Sequence, residues 1–279
     1  MTEASSPDDE VTGASDEARG SIVGGEMTLV EHLAELRNRL FKAALALTAG
    51  AVVGYALFPQ VLDLIIAPYC GVPTAFRPDP EGPCRLIATR ALEPFSVRIK
   101  TSLVIGLLLG GPVIFYQLWK FITPGLTQKE RRYSLPFVVL SQVMFAAGMA
   151  FAYLIIPQGL RILLGFGGET ITPLLSAGEY LSFFLTTAVA FGVIFEIPLV
   201  LVFLSLIGVV TAAQLRRFRP YALVLNVALA ALVTPTTDAV TLLFMAVPMA
   251  LFYEGAIVAA WLIERSRRRG ARAGRTSPA

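Results

Sequence analysis

Six apolar segments follow one another along the chain, separated by polar stretches that are rich in glycine, proline and charged residues. Most of them approach the roughly 20 residues with which a helix crosses about 30 Å of hydrocarbon. Because lipid offers no partner to backbone polar groups, each is predicted to be a helix. The segments are Ala43 to Phe58, Thr101 to Trp119, Leu135 to Ile156, Tyr180 to Val210, Tyr221 to Val233, and Ala239 to Leu262. The pattern predicts an all-α integral membrane protein with six transmembrane helices.

The fifth segment, Tyr221 to Val233, is short for a span. As a helix it rises only about 20 Å, roughly 10 Å less than the hydrocarbon thickness. Local thinning of the bilayer would accommodate it, as would a half-depth hairpin with a sixth span that is then short as well. The alternative is that Arg219 snorkels to the interface and that the helix extends at both ends.

The two ends of the chain differ from its apolar body. Residues 1–26 are acidic and nearly free of large apolar side chains, which predicts a disordered tail. They lack the basic start and early apolar core of a cleaved secretory signal. From Met27, leucines at helical spacing predict an amphipathic helix at the membrane surface that runs into the first span. A membrane domain at 27–262 and a basic tail at 263–279 complete the predicted organisation.

The placement of charge predicts the orientation. An even number of spans puts both termini on the same side of the membrane. With the termini inside, the inner segments hold 17 of the 23 Lys and Arg residues. Since basic residues accumulate in cytoplasmic loops, both termini are predicted to be cytoplasmic.

Composition excludes several classes of protein. A mean hydropathy of +0.68, with 55% hydrophobic and 15% charged residues, argues against a water-soluble globule or a nucleic-acid-binding scaffold. One histidine and two cysteines are too few for a histidine-lined or cysteine-lined zinc site. Nucleotide-binding, serine-hydrolase and zinc-protease motifs are missing from the sequence. His32, between Glu31 and Glu35, is more consistent with a solvated polar face than with a metal helix. We therefore predict no enzyme, no cofactor and no metal site.

One carboxyl group lies inside an apolar segment. Glu196 precedes Pro198, whose ring leaves the carbonyl of Ile194 without its helical partner. An ionised group costs at least ~2.5–3.5 kcal/mol in mid-membrane and is therefore a functional candidate. The alternative is a protonated glutamate that ties two helices together. Glu254 is a weaker candidate because it is closer to the interface, and Asp238 is equally consistent with a helix N-cap.

Cys70 and Cys84 bracket a loop rich in glycine and proline that the topology places outside. A disulfide is chemically permitted there and would close a short loop. Two separate thiols are the alternative.

A series of motifs lies in a fixed order along the chain. The run MTLVEHLAELRNRL occupies residues 27–40. It is followed by Ala67-Pro68, Glu93-Pro94-Phe95, Pro112 to Leu126, Glu130-Arg131-Arg132, Gly148 to Tyr153, Tyr180 to Phe183, Phe191 to Pro198, and Arg219-Pro220-Tyr221. From about residue 27 to 262 the chain thus resembles the TatC family, the multispanning receptor subunit of twin-arginine protein translocation. It departs from the family's Thr-Pro-Pro-Asp motif at residues 234–238, which makes a role for Asp238 less secure.

The resemblance implies a receptor in the bacterial cytoplasmic membrane that recognises signal peptides with two consecutive arginines. Folded cargo would be exported with the proton motive force, together with single-span TatA and, where present, TatB subunits, and self-association is expected. The implied signal-peptide residues are Glu31, Glu35, Arg37, Gln117, Phe121 and Glu130. Carboxylates at the inner face could receive guanidinium groups bidentately. For Gln117 and Phe121 the alternative is a helix end packed at the interface.

Glu196 is expected to dock a polar residue of a small partner helix. The alternative function, from another class, is a proton-coupled secondary transporter of a small solute that uses Glu196. Two features weigh against it: the chain shows no internal repeat, and its acidic cluster lies at the inner surface rather than at the midplane.

Overall fold

The computed structural model describes residues 29–71, 84–122, 134–165, 175–233 and 239–273. The chain divides into two units, Met1–Asn38 and Arg39–Ala279, and the described part of the first is the beginning of helix α1. The helices are α1 (Leu29–Ala56), α2 (Phe58–Cys70), α3 (Glu93–Ile122), α4 (Ser134–Gly165), α5 (Ala177–Leu206), α6 (Ala212–Arg217), α7 (Arg219–Val233) and α8 (Ala239–Ala273). Glu130, Asp238 and both tail ends lie outside the described residues.

Five of these helices, α1, α3, α4, α5 and α8, are long and apolar enough to cross a membrane. Within the described ranges the regular structure is helical, apart from one isolated bridge between Ile87 and Ser176. The prediction of an all-α fold with multiple apolar spans is therefore confirmed. Helix α7 is a shorter apolar helix and falls below the length of a full span.

Three features differ from the sequence-based expectation. A short sixth span is not found, since α8 contains a stretch, Ala246–Arg269, that is long and apolar enough to cross a membrane, and the helix continues to Ala273. Its arginines are good helix formers and extend it beyond the apolar stretch. Helix α7 gains residues only at its start, where it begins at Arg219, and ends at Val233 as predicted. Helices α2 and α6 were not predicted.

The outer surface of the bundle is apolar over much of its length. Large side chains such as Val52, Leu109, Leu154 and Leu251 are 48–73% exposed on four different long helices. Exposing so many apolar side chains to water would be unfavourable, whereas the acyl chains of a bilayer can surround them. The exposed surface therefore agrees with the apolar spans predicted from sequence.

Helices α4 and α5 form the centre of the bundle. Gly148 of α4 lies against the backbone of Phe191 and Gly192 of α5, and Gly192 in turn lies under the ring of Phe145. Phe191 and Phe145 are 1% and 3% exposed, which places this contact in the core. Small residues allow the two backbones to approach closely, as is usual where helices meet in lipid.

A second glycine contact joins α1 to α3. Each helix carries a G-x-x-x-G pair, Gly50 and Gly54 on α1 and Gly106 and Gly110 on α3. A Cβ atom built on Gly106 would lie 2.6 Å from the backbone nitrogen of Ala51, and one on Gly50 would lie 2.7 Å from the carbonyl oxygen of Gly106. The backbones are thus too close for any side chain between them, and packing of this kind replaces the hydrophobic driving force that lipid cannot supply.

One end of the bundle, which we call the disulfide end, is fixed by several links. The Sγ atoms of Cys70 and Cys84 are bonded to each other. The hydroxyl of Tyr180, at the start of α5, donates a hydrogen bond of 2.7 Å to the carbonyl oxygen of Ile65 in α2. The Tyr180 ring also packs on that of Tyr69, with 5.3 Å between ring centroids. Helix α2 is therefore attached to the core through its buried face.

We predict that Gly106→Ala lowers the free energy of unfolding by about 1–3 kcal/mol, because the new methyl group overpacks the contact with α1. Thermal unfolding of the full-length protein in detergent measures this. Gly255→Ala in α8 is the matched control, since a Cβ there meets nothing within 4 Å. Equal midpoints for the two variants would show that the glycine contact does not determine stability.

Candidate functional site

Glu196 lies well inside α5 and is half-buried. The hydroxyl of Ser141, on α4, forms a side-chain hydrogen bond with its carboxyl group. Ser141 is fully buried and also accepts a hydrogen bond of 2.9 Å from the indole Nε1 of Trp119 on α3. Three helices thus contribute to one polar chain, Trp119–Ser141–Glu196, within the apolar part of the bundle. The Oε1 atom of Glu196 has no hydrogen-bond partner among the described residues.

Aromatic rings surround the Trp119 end of this chain. Its ring centroid lies 5.0 Å from that of Phe137 and 4.5 Å from that of Phe203. Trp119 itself is only 3% exposed. The rings fix the indole and the Ser141 hydroxyl that it contacts, and the carboxyl group of Glu196 forms the other end of the polar chain.

Pro198 interrupts the backbone hydrogen bonding beside Glu196, as predicted from its ring. A void of about 20 Å³ lies there, enough for about one water molecule. It is lined by Ile194, Ile197, Pro198, Leu201, Asn226, Met249, Phe252 and Tyr253. Glu196 is not among these residues, so its carboxyl group does not line this void.

Asn226 of α7 is a polar residue that the sequence analysis missed. It lines the void beside Pro198, is 8% exposed, and its Nδ2 atom has no partner within the described structure. A lone Asn in the apolar run VLNVAL was the available signal. The side chain of Asn226 thus belongs to the lining of a void that can hold about one water molecule.

The amino-terminal motif falls at the beginning of α1. Glu31 lies within the helix, and Glu35 one turn later is half-buried. Arg37 is exposed, as are Leu33 and Leu36 on the predicted apolar stripe. The helix continues from here to Ala56, which agrees with an amphipathic start that runs into a span.

Gln117 and Phe121 lie one turn apart near the end of α3, and both are half-buried. Lys120 between them is exposed, with its Nζ atom 5.8 Å from the ring centroid of Tyr116. The helix end thus presents an amide, an aromatic ring and a cation. Glu130, the third predicted carboxylate, lies outside the described residues.

Glu93, at the start of α3, has a role that the sequence analysis did not assign. Its Oε2 atom accepts hydrogen bonds from the backbone nitrogens of Thr89 (2.8 Å) and Arg90 (3.0 Å) and from the Thr89 hydroxyl (3.1 Å). Its Oε1 atom accepts one from the backbone nitrogen of Gly178, in the first turn of α5. The side chain thus joins the amino-terminal ends of α3 and α5. An acid directly before Pro94 at a helix start was the signal.

The opposite end of the bundle, which we call the basic end, joins α6 and α7 to α8. A Glu264 carboxylate oxygen accepts a hydrogen bond of 2.7 Å from the backbone nitrogen of Ala212, and the Tyr253 hydroxyl donates one of 2.8 Å to the carbonyl oxygen of Leu215. Arg219 forms an ion pair with Glu254. This ion pair links the start of α7 to the middle of α8.

Among the described residues no group of three His, Cys, Asp or Glu side chains is placed to hold a metal ion. The described carboxylates Glu93, Glu196, Glu254 and Glu264 instead each contact different partners.

The sequence matches a family model described as Sec-independent protein translocase protein (TatC) over residues 31–248. The chain belongs to the TatC family. The match begins at Glu31 and includes the whole polar chain around Glu196. The protein is accordingly a multi-pass membrane protein and a component of a protein translocase, and small-solute transport is not favoured.

Proteins of the TatC family are similar in sequence to most of this chain. A Sec-independent protein translocase protein TatC of Frankia casuarinae is 42% identical over 262 residues, which is 92% of this chain and 71% of that protein. That of Aquifex aeolicus is 37% identical over 245 residues, 87% of this chain and 98% of that protein. A crystal structure of the twin-arginine translocase receptor TatC in DDM is 36% identical, with a TM-score of 0.71 over 82% of this chain and 99% of that chain.

We predict that Glu93→Gln lowers the thermal unfolding midpoint, because glutamine removes the negative charge and replaces one of the two accepting oxygens with an NH2 group that faces backbone N–H donors. Asp63→Asn is the matched control: Asp63 is an exposed carboxylate in α2, near the same end. The measurement compares the thermal unfolding midpoints of both variants in the same detergent. If Glu93→Gln changes stability no more than Asp63→Asn does, the Glu93 contacts are not stabilising.

Proposed function

We propose that this protein is the receptor subunit that binds twin-arginine signal peptides at the cytoplasmic face of a bacterial membrane and, with TatA-type and TatB-type partners, exports folded proteins with the proton motive force. The family match over residues 31–248 carries the proposal. The name of the matched crystal structure, a twin-arginine translocase receptor, is consistent with it. The protein acts by binding and assembly, with no catalytic step of its own.

In the proposed topology six helices cross the membrane and both termini are cytoplasmic. The five long helices account for five spans, and α7 crosses as the short one. The charges of the described residues support this orientation. At the basic end lie Arg39, Lys42, Lys120, Arg216, Arg217, Arg219, Arg265, Arg267, Arg268, Arg269 and Arg272, while the disulfide end has fewer, namely Arg85, Arg90, Arg98, Lys100 and Arg161. Since a disulfide persists in an oxidising compartment, the disulfide end faces outward.

The signal peptide is recognised by carboxylates at the inner face. Glu31, Glu35 and Glu130 pair with the two arginines of the peptide, because a guanidinium group binds a carboxylate with two parallel hydrogen bonds. Gln117 and Phe121, at the end of α3, contact the residues beside the arginines. Arg37, exposed within the same motif, faces the peptide from α1.

We predict that Glu35→Ala weakens binding of a twin-arginine peptide by roughly tenfold or more, since a charge-assisted hydrogen bond contributes ~1.5–3 kcal/mol. Crosslinking of a labelled peptide to the full-length protein in membranes measures this. A Glu31→Ala/Glu35→Ala/Glu130→Ala variant should lose the crosslink.

Two controls make this test specific. Asp63→Ala removes an exposed carboxylate at the disulfide end and should leave crosslinking unchanged. A peptide with two lysines in place of the arginines should bind the parent protein weakly, because lysine cannot form the bidentate pair. Unchanged crosslinking in the triple variant, at normal membrane insertion, contradicts the assignment.

Glu196 is the docking point for a polar residue of a small partner helix. Its Oε1 atom has no hydrogen-bond partner among the described residues, while Ser141 and Trp119 fix the rest of the polar chain. In lipid an unsatisfied carboxyl group gains more from a polar partner than from apolar packing. The short α7 favours such an approach, because a short span thins the bilayer around it.

We predict that Glu196→Ala reduces co-purification of the small partner subunit severalfold but leaves signal-peptide crosslinking largely intact. Glu196→Gln should retain much of the recruitment, since its amide can still form a hydrogen bond. Val193→Ala is the matched control, because Val193 is an exposed apolar residue one turn away on α5. Recruitment and transport that survive Glu196→Ala would reduce Glu196 to a helix-packing residue.

A further inference from the structure

The last turns of α8 form a groove with an excess of positive charge. The groove has a volume of about 470 Å³ and is lined by Trp261, Glu264, Arg265, Arg268 and Arg269. Residues 261, 265, 268 and 269 lie on one side of the helix, since they are spaced by three, four, seven and eight positions. Neither the family's motifs nor the proposed receptor function uses these residues.

The one carboxylate of the groove is engaged elsewhere. A carboxylate oxygen of Glu264 accepts the hydrogen bond from the backbone nitrogen of Ala212 in α6. Its distance to the Arg268 guanidinium is 3.9 Å, and the Arg268 side chain is 80% exposed. An exposed pair of this kind neutralises little of the arginine charge. The guanidinium groups of the groove are therefore exposed and only weakly neutralised by Glu264.

The arginines are continuous with an apolar surface on the same helix. Val258, Trp261 and Leu262 are exposed to 54%, 39% and 52% and lie within the two turns before Arg265. The guanidinium carbon of Arg265 lies 5.1 Å from the ring centroid of Trp261. Along the helix axis the surface thus changes from aliphatic to aromatic to cationic. A phospholipid has the same order of groups, with acyl chains, an interfacial region and a phosphate.

We propose that this groove binds the headgroup of an anionic phospholipid. Arg265 and Arg269 contact the phosphate, since arginine presents a planar set of donors that matches phosphate oxygens. Trp261 lies at the level of the glycerol backbone, and Val258 and Leu262 contact the acyl chains. Free phosphate would share the headgroup chemistry, but it would leave these exposed apolar residues without a role. The bound lipid would fix the end of α8, and with it α6, at the membrane surface.

Tryptophan fluorescence tests the proposal directly. The chain has two tryptophans, so Trp119→Phe leaves Trp261 as the sole fluorophore. Full-length protein in detergent micelles is titrated with phosphatidylglycerol or phosphatidylcholine whose acyl chains carry bromine, which quenches nearby indole. We expect phosphatidylglycerol to quench at a mole fraction at least about fivefold lower than phosphatidylcholine, with a preference that declines as salt rises.

Arg265→Gln/Arg269→Gln should abolish this preference, and Arg85→Gln/Arg90→Gln, at the disulfide end, should retain it. Equal quenching by the two lipids, or a preference that persists without Arg265 and Arg269, overturns the proposal. If inorganic phosphate at the same concentration displaces the lipid, the groove is a general oxyanion site and the lipid assignment is wrong. Native mass spectrometry of the protein with both tryptophans provides an independent count, in which the Arg265/Arg269 variant should retain severalfold less phosphatidylglycerol than the Arg85/Arg90 variant.

Discussion

The lack of water in the hydrocarbon core is the constraint on which the rest of the structure depends. It removes both the hydrophobic drive that brings helices together and the solvent that would satisfy their polar groups. Packing must therefore come from close backbone contact, which the glycines of α1, α3, α4 and α5 provide. Polar groups must find partners in the protein, as Trp119 and Ser141 do. One carboxyl oxygen of Glu196 has no hydrogen-bond partner among the described residues, and for this reason we propose Glu196 as a docking position.

Much of the fold could be predicted from the sequence because long apolar runs have one stable form in a bilayer. The all-α class and the long spans were confirmed for that reason. Helix α2 was missed because it is short, contains Pro68 and follows α1 almost without a break, so that its apolar residues looked like part of a loop. The length of α8 was underestimated because hydropathy ends where the arginines begin, whereas helix propensity does not.

The candidate site was less accessible to sequence reasoning. A carboxyl group within an apolar run is unusual, so Glu196 could be recognised from the sequence. Its partner Ser141 lies on another helix, and nothing in the local sequence indicates that contact. The same holds for Glu93, whose acceptor role depends on Gly178, 85 residues away. Position along the chain indicates which residues are unusual, and only the packing shows what each of them contacts.

The distance in sequence between Glu93 and Gly178 has a consequence for the order of assembly during synthesis. Of the hydrogen bonds that the Glu93 carboxylate accepts in the folded protein, those from Thr89 and Arg90 are available while α3 and α4 are being made. The bond to Gly178 becomes possible only once the beginning of α5 has left the ribosome and entered the membrane. The contact that joins the starts of α3 and α5 is therefore completed only after α5 has been made.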